Sequence, residues 1–152
     1  MNIYKDSWLS LVKFAKGVAA QAYAQGLCPV LPVFVNFDAH AEFNTLPTQD
    51  FICISGYALH IDEKIVTLFA SIGFGTYSDP ENVRLIDLMG LLVQTLVPGN
   101  VIPLYANGNP TVPVTNMVVA NSPIVEPTEK GNLRGVQLMS VRLLPGRLLV
   151  SS

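Results

Sequence analysis

Two runs rich in β-branched and aromatic residues, FICISGYALHI and KIVTLFASIGFGTY, follow one another with a short polar turn at Asp62 and Glu63 between them. Side chains of this kind suit a pleated surface, and the short connection predicts an antiparallel hairpin. A helix pattern follows at once. Ser78 or Asp79 stands as cap, Pro80 at the first helical position and Glu81 in the first turn. Val83, Ile86, Met89, Leu92, Val93 and Leu96 then recur at helical spacing until Pro98 and Gly99 end the run.

The rest of the chain is arranged around this unit. Asp6 or Ser7 is expected to cap an N-terminal helix in which Trp8, Leu11, Val12, Ala15, Val18, Ala19 and Ala22 share a face, with Gly26 as its stop. Its Ala-rich second half permits close approach to a neighbour, whether the subunit's own sheet or another copy. PVLPVFVNF reads as a strand confined by Pro29 and Pro32 to an edge or a strand start. Residues 38–50 read as loop, VIPLYA as a strand and RGVQLMSVRLLP as a closing strand. Between these last two, residues 107–131 are rich in Asn, Pro, Gly and Thr and read as a long loop excursion, with at most a short strand at NMVVA. The expectation is one α+β domain over residues 1–152: a mostly antiparallel sheet flanked by two main helices, with one long loop.

The stretch ASIGFGTYSDPENVRL resembles a phosphate cradle, because a strand meets Gly73-x-Gly75 just before a helix. A dinucleotide loop needs a third glycine where Ser78 stands. Asp79 and Glu81 would also occupy the positive end of the helix and repel a phosphate. The glycines are therefore expected to let the strand bend or bulge on leaving the sheet, and Asp-Pro-Glu to cap the helix.

Composition narrows the function classes. Half of the 152 residues are hydrophobic and 13% are charged, against a usual charged share of about a quarter. That is little charge for a monomer's surface, so part of it is expected to meet other proteins. The apolar runs are too interrupted for a membrane span, and Lys13 and Lys16 break the region that a secretion signal keeps uncharged, which predicts a soluble chain. A net charge of −2 argues against gripping a duplex. Cys28 and Cys53 lack metal or redox spacing and read as buried free thiols. His40 and His60 have no elbow, zinc motif or acidic metal loop to work with. Asp62 and Glu63 read as turn residues. Phe69, Phe74 and Tyr77 lack interleaved basic residues and read as core or oligomer contacts. No catalytic, cofactor or metal residues are expected.

In its order of elements the sequence resembles the bacteriophage tail terminator proteins, small α+β proteins that form a hexameric ring on the last ring of a tail tube. The resemblance is carried by the amphipathic N-terminal helix, by HIDEKIVTLFASIGFGTYSDPENVRLIDLMGLLVQTLVPG as strand and capped helix, and by GVQLMSVRLLPG. It implies a virion protein, assembled in the host cytoplasm and resident in the tail or neck, that ends tube polymerisation and offers a docking face to the head. Its implied partners are further copies of itself, the tail-tube protein and a head-completion or connector protein. A related head-to-tail joining or tail-completion protein remains open, as does a small enzyme or ligand-binding domain. Ala15, Ala19, Ala22, Asn107, Asn109 and Pro113 are the expected interface residues. Arg84, Arg142 and Arg147 are expected to face neighbours rather than a DNA-passing lumen.

Overall fold

The structure, a computed structural model, describes residues 2–35, 48–63, 65–106, 111–131 and 133–145. The two long runs form β2 (Phe51–Asp62) and β3 (Ile65–Tyr77), paired antiparallel from Phe51 opposite Gly75 to Asp62 opposite Ile65, with an irregularity between Ile54 and Gly56. The closing run is β8 (Arg134–Pro145), on the other side of β3. Around these lie β1 (Val33–Val35), β4 (Val101–Tyr105), β5 (Pro113–Val119), β6 (Ile124–Val125) and β7 (Glu129–Gly131). The sheet runs β1-β2-β3-β8-β5-β4, with β6 and β7 also on β8, and among the described residues only the β1–β2 pairing is parallel. With α1 (Ile3–Ala24) and α2 (Val83–Thr95) this is an α+β fold dominated by a curled, mostly antiparallel sheet.

Period-two alternation decides which face of the sheet is covered. Leu68, Ala70, Ile72 and Phe74 of β3 are buried, as are Met139, Val141 and Leu143 opposite them on β8. They form one core with Leu11, Ala15, Val18 and Ala22 of α1 and Leu85, Leu88, Met89 and Leu92 of α2. The small side chains of Ala15, Ala19 and Ala22 thus serve close packing inside the subunit; all three are buried there, which corrects their expected place in an interface.

The N-terminal helix starts earlier than its sequence suggests. Asn2 is the cap, accepting the Lys5 N–H at 3.1 Å, so Asp6 and Ser7 lie inside the helix and are buried. Gly26, at a φ of +75°, follows the helix end as expected.

The excursion differs more. Residues 107–110, and with them Asn107 and Asn109, lie outside the described residues. From Pro113, which is exposed and opposes Tyr105 of β4, the chain lays β5, β6 and β7 in turn along its own β8: Val119 opposes Leu143, Ile124 opposes Ser140, and Glu129 opposes Val136. Pro123 and Pro127 lie in the gaps, where no ladder needs their missing N–H. The described part of 107–131 is a segmented strand ordered by the subunit itself, not a loop awaiting a partner.

Candidate functional site: two exposed apolar faces

The Gly-x-Gly segment is a structural joint. β3 continues past both glycines to Tyr77, paired on each side, so neither bends the strand out of the sheet; the irregularity lies in β2 instead. The glycines provide room. A side chain at Gly73 would collide with the β8 backbone at Gln137 and Leu138, and one at Gly75 with the Phe51 ring. After β3 a short 3-10 turn (Pro80–Asn82) leads into α2, which begins at Val83 rather than at Pro80 as the sequence suggests; Glu81 and Asn82 turn left-handed ahead of it, and Asp79, before the turn, reaches the helix's first N–H groups with its carboxylate. Its carboxylate accepts the N–H of Arg84 at 3.0 Å, the N–H of Leu85 at 2.9 Å and the Thr76 hydroxyl at 3.0 Å. Burial alone would raise its pKa, but these donors and the Arg84 charge outweigh burial and hold the carboxyl below its ordinary value. Arg84 in turn donates to Asp50 and to the Tyr77 carbonyl, and the bond to Asp50 foremost raises its own pKa. Its guanidinium is thus engaged by partners within the subunit while the side chain remains part exposed. The donors a phosphate would need are already taken.

On α2 the apolar residues span more of the circumference than the sheet covers. Leu85, Leu88, Met89, Leu92 and Leu96 are buried, whereas Val83 is 57% exposed and Ile86 61% exposed, with Val93 and Val97 also in solvent. The residues that recur at helical spacing therefore do not make one packing face: Met89, Leu92 and Leu96 reach the core, Val83, Ile86 and Val93 do not, and Phe69 is on the opposite side of the sheet from the helices. An amphipathic helix normally turns a polar face outward. Here Val83, Ile86, Gly90 and Val93 form an outward stripe, flanked by the exposed Asp87 and Gln94.

The second face is the side of the sheet turned away from the helices. At one end it is closed by a small cluster of Phe51, Cys53, Val136 and Leu138 with Phe34 against it. At the other it is open. Gly56, Ser71, Ser140 and Ile124 form one row across the strands, and Ala58, Phe69 and Arg142 the next. They line a hollow of about 440 Å³. Phe69 is 41% and Ile124 62% exposed, while the Ser71 and Ser140 hydroxyls bond at 3.0 Å in its floor, with Glu126 accepting from Ser140.

The other candidates stay apart from both faces or form no chemistry. His60, Asp62 and Glu63 are exposed at the hairpin end. His40 and Arg147 lie outside the described residues. Cys28 and Cys53 are free; burial raises both thiols, Cys53 to about 12, which leaves it unreactive. Among the described residues no three His, Cys, Asp or Glu side chains are placed to hold a metal ion, and no helix is long and apolar enough to cross a membrane. Asp6 is 1% exposed, and neither of its carboxylate oxygens has a hydrogen-bond partner among the described residues. Compared with protein-family models and with curated proteins, the sequence finds no match.

Proposed function

We propose that the chain is a structural subunit of a bacteriophage tail: a tail terminator, copies of which close into a ring of six on the last ring of the tube, stop its growth and present a face to a head-side connector. The observation that carries this reading is the pair of exposed apolar faces on one subunit, the outer stripe of α2 and the open end of the sheet. A two-fold dimer needs one self-complementary patch; a ring needs two different patches, each fitting the other. The resemblance in element order to the terminator proteins supplies the setting. The subunit's role is then mechanical: its sheet and helices are a rigid mount for contacts, and the net charge of −2 suits a lumen through which DNA passes without being gripped.

The test is native mass measurement of the purified chain, alone and with tail-tube protein. The expected species lies near six times the 16.5 kDa subunit, and omission of the chain from assembly yields tubes of uncontrolled length. A chain that stays monomeric, joins no particle and leaves tube length unchanged would sink the reading.

A further inference from the structure

We infer that the outer stripe of α2 in one subunit seats in the hollow of the open sheet face of a second copy. This rests on the ring reading above and names the two surfaces that meet. The fit is one of shape and charge. A helix flank is convex, and its apolar part here is Val83, Ile86 and Val93; the hollow is concave, with Phe69 and Ile124 as apolar walls, the short side chains of Ser71 and Ser140 between them, and Gly56 and Ala58 on the strand beyond Phe69.

The charges are opposite. Asp87 lies one turn from both Val83 and Gly90, is exposed, and has no partner among the described residues. Arg142 stands at the hollow, and its guanidinium reaches the Asn121 carbonyl at 3.3 Å but no carboxylate among the described residues. Seating the stripe in the hollow brings this pair together at the rim, where charges set orientation and register at little desolvation cost.

Gly90 is the third sign. A glycine within a helix is disfavoured by about 1 kcal/mol relative to alanine, yet among the described residues a Cβ at this position would meet nothing within 4 Å. No described residue of the subunit requires the glycine. At the centre of the stripe it leaves a flat place where the Phe69 ring of the next copy can reach the helix backbone. Because stripe and hollow belong to different elements, each subunit gives one and receives the other, the head-to-tail arrangement that closes into rings.

The experiment uses Asp87→Arg, Arg142→Asp and the double exchange, each checked for an unchanged thermal midpoint of folding, and reads association by light scattering. Each single exchange is expected to raise the dissociation constant at least about tenfold, and the double exchange to restore most of the loss. In parallel, Gly90→Cys subunits mixed with Ala58→Cys subunits are expected to cross-link under mild oxidation, and neither variant alone to do so. Single exchanges without effect on a ring that forms, a double exchange that fails to restore, or Gly90→Cys subunits that cross-link to one another would each overturn this pairing and leave the ring standing. Absence of any oligomer in the unaltered chain, alone or on tubes, removes the ring reading itself and the pairing with it.

Discussion

The ring of Phe51 occupies the space in which a side chain at Gly75 would stand. Phe51 and Gly75 are opposed on neighbouring strands, and the ring also meets Phe34 at 5.3 Å between centroids. The apparent phosphate loop is thus a packing requirement on the far face of the sheet. Gly75→Ala is expected to lower stability by about 1–3 kcal/mol through overpacking. Gly73→Ala should be the worse of the pair, because it meets the β8 main chain, which cannot rotate away as a ring can. Urea unfolding of both variants checks this, and a neutral Gly73→Ala would show that the strands are not held in this register.

The Asp79 cap should show itself in acid. Its folded-state pKa lies below the ordinary aspartate value of about 3.9, so as the pH falls the unfolded chain takes up this proton first. The cap's stabilisation is therefore complete above roughly pH 4 and is lost as the pH drops through the lowered folded value. Asp79→Ala is expected to cost about 0.5–2 kcal/mol at pH 7 and progressively less below pH 4. A difference from the unaltered chain that stays constant from pH 7 to pH 2 would exclude Asp79 as the charged cap.

Local chemistry made several of these features legible. β8 spans Arg134–Pro145, the run read as the closing strand, and the hairpin and the Asp79 cap stand where turn and cap residues put them. Sequence periodicity failed on α2 because apolar residues cover so much of its circumference that spacing alone does not say which arc the sheet takes; the arc left over, with Val83, Ile86 and Val93, is in solvent. The segmented partner of β8 was hidden for another reason. Strands as short as Ile124–Val125 carry no pattern and exist only because β8 offers them a ladder. The hollow was out of reach of any local window, since Ala58, Phe69, Ile124 and Arg142 meet only through strand register.

Asp6 is a buried carboxylate without hydrogen-bond partners among the described residues, in a helix that does not need it as cap. Leaving such a group unsatisfied costs on the order of 1–3 kcal/mol, and alanine is the better helix former. Asp6→Ala is therefore expected to stabilise the isolated subunit, measured as a higher urea midpoint at pH 7. A clear loss of stability would mean that the carboxylate is solvated or paired in solution.

The two arcs of α2 give the sharpest contrast between folding and association. Leu92 is fully buried in the core, and its truncation to alanine should cost the dispersed subunit about 2–5 kcal/mol through lost transfer energy and an unfilled cavity. Ile86 lies on the same helix with most of its side chain in water, so Ile86→Ala should change subunit stability by no more than about 0.5 kcal/mol. In association the order reverses. At a concentration where the proposed ring forms, Ile86→Ala should release subunits, because the methyl groups removed are those that the inferred seating of the stripe would bury. Unfolding of dilute subunits and light scattering of concentrated ones separate the two effects. An Ile86→Ala variant that unfolds as readily as Leu92→Ala would place Ile86 in the core and take away the outward stripe on which the assembly surface depends.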